Sequence, residues 1–310
     1  MNYSVIVAGS TERTLQCAQA LEEDSRFTLT GVITPAPKLI GRKQVLTKNP
    51  LHVWAEKRSI PSLLIEKKID AALQQKIRET FQAPALLLVV DFGYIVPQWL
   101  LDFPSIAPVN IHPSELPKYR GSSPGQFALA FGEKKSAVTV MKMDALLDHG
   151  PILTSIPFDV PASWTTPDYY THAFSLVTKQ LASILSDYCS NAHESPQPDK
   201  SPTPTARMLT RDDGFIPFET LERILQAPSV DDVLVGQSIP FLSSYSKETT
   251  GQALYDLWRG FSPWPGLWTR IEEKGTQKRM KLLSFHLDGE KLLLDDVQVE
   301  GETPKKYNSA

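Results

Sequence analysis

Asn110, His112 and Asp148 are the residue types in this chain whose chemistry fits the movement of an acyl group. Asn110 and His112 close an apolar run that reads as a strand, and their spacing puts both side chains on one face where that strand ends. A neutral amide donates a hydrogen bond to an oxyanion without changing its own charge, so Asn110 can hold that role at any ordinary pH. An imidazole exchanges a proton near neutrality, which suits His112. Asp148, in the turn Leu147-Asp148-His149-Gly150-Pro151, is placed to orient the imidazole or to take the proton that an attacking amine releases. The alternative for each is a polar residue that caps a turn or is solvated. Nothing in the chain has the spacing of a metal box, so no metal is expected.

The elements around these residues read as an open α/β fold. Residues 3–8 form a β-rich run ending at Gly9, and Ser10 or Thr11 is placed to cap a helix through about residue 23. Residues 27–33 read as the next strand, so the chain opens βαβ and predicts a parallel sheet. The first turn, GSTERT, has a single glycine and lacks the dinucleotide fingerprint, which discounts a nicotinamide cofactor. Residues 34–49 are too basic and proline-marked to be regular. Helices are expected at 51–58 and 70–81, with a short extended piece at 62–65. Residues 85–90 are continuously apolar, as an inner parallel strand should be, and lead into Asp91-Phe92-Gly93-Tyr94-Ile95. Ligands of open α/β sheets sit at the carboxyl ends of strands, so Gly93 reads either as a close approach or as a plain turn.

After the His112 strand, Pro113, Pro117 and Pro124 forbid regular pairing and predict an ordered loop over the site. A helix at 126–131, a strand at 136–143, a loop carrying Asp144 and Asp148, and a strand at 151–158 follow. Tyr170, Ala173, Phe174, Val177, Leu181, Ile184, Leu185 and Tyr188 recur at helical spacing and predict one buried stripe. The segment SPQPDKSPTPT reads as a semi-extended linker. Beyond it lie a helix at 252–260 and short strands at 267–271, 279–287, 291–294 and 297–300, the pattern of a small barrel. Trp264, between two prolines, reads as a core anchor.

At 310 residues the chain exceeds one typical core and predicts two domains. No stretch approaches the roughly 18 apolar residues needed to span a bilayer, and no leader is evident, so a cytoplasmic protein without membrane contact is expected. The two cysteines suit a reducing compartment without structural disulfides. A net charge of −3 argues against indiscriminate coating of nucleic acid. Two segments are nevertheless basic and acid-free: one holds Lys38, Arg42, Lys43 and Lys48, the other Lys274, Lys278, Arg279 and Lys281. Each is either a solvated face or a contact for folded RNA.

The string NIHPSELPKYRGSSP, followed by TVMKMDALLDHGPIL, resembles the signature of the folate-dependent formyltransferases. The likeness runs on to FSPWPG near residue 265 and is greatest to the branch of the family whose acceptor is methionyl-tRNA. It implies a Rossmann-like parallel-sheet catalytic domain over 1–190, a linker over 191–205, and an OB-like tRNA-binding β-barrel over 206–310. It also implies catalytic roles for Asn110, His112 and Asp148, and 10-formyltetrahydrofolate as formyl donor. Phe92, Gly93, Tyr94, Ile95, Ser114, Leu116, Pro117 and Asp144 are the implied folate contacts. TPAPKLIGRKQVLTKNP resembles the family's insertion loop, with Arg42 leading and Lys38, Lys43 and Lys48 beside it on the acceptor stem of initiator methionyl-tRNA. A monomer is expected. The same motif serves acceptors such as sugar nucleotides and glycinamide ribonucleotide, and formyltetrahydrofolate hydrolases, so these remain alternatives. Three departures stand out: Glu115 replaces an apolar residue, the first turn lacks the family's aromatic, and Pro217-Phe218 replaces Asp-Trp.

Overall fold

The computed structural model describes residues 1–41, 43–273 and 275–307, so Arg42 and Lys274 lie outside the described residues. Strands and helices alternate first: β1 (Tyr3–Gly9), α1 (Glu12–Glu22), β2 (Phe27–Pro35), β3 (Lys38–Ile40), β4 (Val45–Thr47), α2 (Pro50–Lys57), β5 (Ser62–Ile65), α3 (Ala71–Thr80), β6 (Leu86–Val90), α4 (Gln98–Leu101) and β7 (Ala107–His112). Then come α5 (Pro124–Ala130), β8 (Lys135–Lys142), β9 (Ile152–Asp159) and the long α6 (Thr166–Asn191). A 3-10 turn, Arg211–Gly214, precedes α7 (Phe218–Gln226), α8 (Pro240–Ser243), α9 (Gly251–Phe261), β10 (Leu267–Glu273), β11 (Thr276–Asp288), β12 (Lys291–Val299) and β13 (Lys305–Lys306).

Among the described residues β5-β2-β1-β6-β7-β8-β9 form a seven-stranded sheet, parallel from β5 to β7, with β8 antiparallel to β7. The apolar runs of β1 and β6 are buried on both faces: Val5 to Ala8 are fully covered, as are Leu86 to Leu88. Ile6, Ile33, Ile65, Ile77, Leu87 and Leu100 gather in one cluster with them, and truncating such a residue to alanine costs about 2–5 kcal/mol. Thr11 caps α1 by accepting from the Thr14 amide, while Thr14 accepts from the Thr11 amide. From β1 the chain lays strands first to one side and then to the other, so the carboxyl ends of β1, β6 and β7 open onto the switch point where ligands of such sheets bind.

By contacts the chain forms two compact units, each discontinuous in sequence. One comprises Met1–Arg120, Ala137–Pro157 and His172–Pro202; the other comprises Gly121–Ser136, Phe158–Thr171 and Thr203–Ala310. In the second, α5 packs on α9 so closely that a Cβ on Gly260 would stand 2.4 Å from the Gln126 carbonyl. Phe127, Phe131, Phe241, Tyr245 and Phe261 interlock around that contact, mostly edge to face. Its strands form a four-stranded antiparallel sheet, β10-β11-β12-β13, in keeping with the small barrel expected.

Four local expectations change. Residues 34–49 are not wholly irregular: Leu39 pairs with Leu46 and Ile40 with Val45 around the Gly41 turn, because aliphatic residues flank a glycine in left-handed conformation. The two strands expected at 291–294 and 297–300 are the single β12, whose pairing with β11 shifts register on both sides of the Ser284–Asp296 pair. Trp264 is 52% exposed and anchors no core; Trp268, 5% exposed, takes that place against Phe215 and under the Arg279 guanidinium. The proline-dense segment expected to be a semi-extended linker is docked at its start, where Ser195 bridges to Ile152 and Gln197 is buried.

Candidate active site

β7 ends at the mouth of the sheet and delivers Asn110 and His112 there. His112 is 4% exposed. Its Nε2 lies 3.0 Å from the Tyr119 carbonyl. A carbonyl only accepts, so this nitrogen carries a proton and Nδ1 is left facing the carboxylate of Asp148, 3.6 Å from Oδ2. The other oxygen, Oδ1, accepts from Asn110 Nδ2 at 3.4 Å. Amide, imidazole and carboxylate therefore meet, at separations longer than tight hydrogen bonds.

Two loops make this possible. In the loop after β7, the Ser114 hydroxyl donates to the Lys118 carbonyl at 2.7 Å, and Thr139 of β8 donates to the Ser114 carbonyl at 2.7 Å. These bonds replace the sheet ladder that the prolines forbid and bring the Tyr119 carbonyl back over His112. Glu115, the departure from the family pattern, is exposed and pairs with Lys118 at 3.1 Å. The second loop joins β8 to β9. It is closed by the Lys142 amide donating to the Pro151 carbonyl at 2.9 Å, and a Cβ on Gly150 would lie 2.0 Å from the Lys142 carbonyl. Only glycine fits that crossing. Asp148 turns its side chain inward from a left-handed backbone, φ +50°.

The implied folate contacts fall into two groups. Phe92, Gly93, Tyr94 and Ile95 follow β6 at the switch point. Phe92 and Tyr94 are half-buried with ring centroids 5.3 Å apart, Ile95 is 92% exposed, and a Cβ on Gly93 would meet nothing within 4 Å. Ser114 and Leu116 are buried beneath their own loop, with Pro117 half-covered. Asp144 is held within its loop, accepting from the Leu146 amide at 2.9 Å and lying 3.1 Å from His149 Nδ1. Asp144, His149, Pro151, Glu194, Pro196 and Gln197 line a cleft of about 330 Å³.

Of the basic residues in the 34–49 segment, Lys38 and Lys43 are exposed on the hairpin. Lys48 is turned onto Glu56 of α2, at 2.6 and 2.7 Å from its two oxygens. Neither cysteine is a ready nucleophile: burial pushes the Cys17 thiol far up and that of Cys189 up to about 11.

Two residues at the site carried no expectation. Gln197 and Arg120, each 9% exposed, bond to one another, and Gln197 bonds onward to the loop of Asp148. The available signal was Pro196-Gln197-Pro198, a polar side chain on a backbone that the prolines hold extended.

An open parallel sheet whose carboxyl end gathers amide, imidazole and carboxylate defines a group-transfer enzyme of the α/β class. The formyl transferase family model matches residues 1–183. The chain belongs to the formyl transferase family, and its chemistry is transfer of a one-carbon formyl group. It is 29% identical over 307 residues to a methionyl-tRNA formyltransferase of Sulfurovum sp. (strain NBC37-1), covering 96% of this chain and 87% of that protein. The structure of a methionyl-tRNA formyltransferase from Clostridium thermocellum matches at 15% identity with TM-score 0.57, over 96% of this chain and 98% of that one. A sugar N-formyltransferase from Shewanella sp FDAARGOS_354 matches at 15% identity with TM-score 0.56, over 89% and 95% respectively. The fold is thus common to proteins named for different acceptors, and fold alone does not choose between them.

Proposed function

We propose that this enzyme transfers the formyl group of 10-formyltetrahydrofolate to the α-amine of initiator methionyl-tRNA, acting as a cytoplasmic monomer. The observation that carries the chemistry is the position of Asp148, 3.6 Å from His112 Nδ1 and 3.4 Å from Asn110 Nδ2. In this reading the neutral amine attacks the formyl carbon. Asn110 Nδ2 donates to the oxygen that gains negative charge, and because it starts neutral it does so without reorganising a charge of its own. His112 keeps Nε2 on Tyr119 and works through Nδ1, which in its protonated form donates to that oxygen or to Asp148. Asp148 receives the proton that the amine must lose, and as the tetrahedral adduct collapses the bond between the formyl carbon and the folate nitrogen breaks, that nitrogen taking up a proton as tetrahydrofolate leaves.

The folate supplies an activated formyl group. Phe92, Gly93, Tyr94 and Ile95 fit its ring system, since an open glycine and a nearly bare isoleucine stand beside two aromatic rings at the switch point. Ser114, Leu116, Pro117 and Asp144 frame it by fixing the two loops. Methionyl-tRNA is favoured as acceptor by the likeness to the Sulfurovum protein, which extends across both compact units. Exposed Lys38 and Lys43 supply positive charge for a phosphate backbone. No helix among the described residues is long and apolar enough to cross a membrane.

The test is to offer formyl-labelled 10-formyltetrahydrofolate with methionyl-tRNA, glycinamide ribonucleotide or an amino-sugar nucleotide in parallel. Label appearing on the tRNA supports the reading. Label appearing only on a small acceptor overturns it.

A further inference from the structure

Asp148 has to be held in an unfavourable backbone conformation, and what holds it comes from a distant part of the chain. The amide nitrogen of Gln197 donates to two carbonyls on either side of His149: that of Asp148 at 3.2 Å and that of Gly150 at 2.7 Å. The amide oxygen of Gln197 accepts from Arg120, from Nη2 at 3.0 Å and from Nε at 3.3 Å. Arg120 in turn donates to the carbonyls of Pro198 at 2.7 Å and Asp199 at 3.0 Å. Both polar atoms of the Gln197 amide are engaged, and the guanidinium fixes which end is oxygen, because Arg has no acceptor to offer. The residue is 9% exposed, so water has little access to replace these bonds.

The contacts close on themselves. Tyr119, the neighbour of Arg120, accepts from His112 Nε2; Arg120 orients Gln197; Gln197 grips the backbone on both sides of His149; and Asp148 faces His112 Nδ1. One short stretch, Tyr119-Arg120, thereby sets the position of both the imidazole and the carboxylate.

We infer that Gln197, oriented by Arg120, is a positioning residue that fixes Asp148 opposite His112 and Asn110 for the chemical step. This rests on the role proposed above for Asp148. Geometry at a reacting centre is worth about 10²-fold in rate for a displacement near 1 Å. Gln197→Met keeps the length and removes every hydrogen bond. Gln197→Glu keeps an acceptor for Arg120 but places negative oxygens against two carbonyls.

The experiment measures kcat and KM for both substrates, with thermal stability, in wild type, Q197M, Q197E, D148N and the two double variants with D148N. The expected result is a roughly 10- to 100-fold fall in kcat for Q197M and Q197E, KM for donor and acceptor within about twofold, and little or no further fall when either is combined with D148N. A purely structural role would lower activity by the same factor on both backgrounds, and that outcome overturns the inference, as does a change confined to KM. If Q197M does not fold, Q197E carries the test with the Arg120 contact retained. Should D148N itself be as active as wild type, the proposed role of Asp148 fails instead; D148N inactive with Q197M and Q197E fully active sinks only the inference about Gln197.

Discussion

Asp148 stands between His112 and Asn110 with one oxygen toward each: Oδ2 lies 3.6 Å from the imidazole Nδ1 and Oδ1 lies 3.4 Å from the amide nitrogen. A side chain so placed can act on a proton and on an amide at once. Asp148→Asn preserves shape and removes the charge, so kcat should fall by about 10²–10⁴-fold while the unfolding temperature stays close to that of wild type. Steady-state kinetics beside calorimetry checks this.

Asn110→Ala and His112→Ala test the other two members. Each should lower turnover by at least about 10²-fold. Because His112 Nε2 is bonded to a buried carbonyl, H112A should also lose stability, whereas N110A, at a partly open strand end, should lose little. A variant with near-full turnover would remove that residue from the mechanism.

Gly150 is required by close approach. With a Cβ only 2.0 Å from the Lys142 carbonyl, Gly150→Ala has to push the β8–β9 connection apart. The expected loss is about 2 kcal/mol or more, a fall of roughly 3 °C or more in Tm for a protein of this size. Activity should drop further than stability explains, since Asp148 rides on the same loop.

Arg207 and Asp213 give a pH-dependent contribution to stability. Burial alone raises the Asp213 carboxyl, but hydrogen bonds from Arg207 and from the Thr210 amide and hydroxyl outweigh it and hold that carboxyl below its usual range. A depressed native value means that the contribution is complete above the unfolded carboxylate range, near pH 4, and is lost as pH falls through the native value. Thermal midpoints recorded from neutral pH into acid should therefore fall more steeply for wild type than for Asp213→Asn, which starts lower and runs flatter.

On the hairpin, Lys38→Glu and Lys43→Glu should weaken methionyl-tRNA binding and reduce its salt dependence, leaving kcat for saturating acceptor nearly unchanged. Lys48→Glu is expected to act differently. Lys48 is paired with Glu56, and reversing it sets a second carboxylate against Glu56 in the last turn of α2. Filter binding at several salt concentrations separates the two effects.

How far this molecule could be read beforehand depended on whether the signal was local. The buried strands β1 and β6, the α1 cap at Thr11 and the stripe from Ala173 to Tyr188 follow from period and residue type, which near neighbours decide. Asn110 and His112 share a face because a strand alternates, and their meeting with Asp148 rested on family resemblance that the distances then matched. Gln197 was not readable as a site residue. Its composition says linker, and only the carbonyls of Asp148 and Gly150, far away in sequence, give its amide a purpose. Trp264 and Trp268 were exchanged for a similar reason: prolines near an indole suggest an anchor, but pairing of β10 with β11 decides which ring is covered.

The close seating of α5 on α9 bears on how this chain can be cut. α5 precedes the proline-rich segment and α9 follows it, and they meet where Gly260 admits no side chain. A recombinant fragment stopped near residue 190 would carry α5 without the helix that covers it, leaving Phe127 and Phe131 bare to solvent and prone to self-association. Separating formyl transfer from tRNA binding is therefore better attempted by point substitution than by truncation.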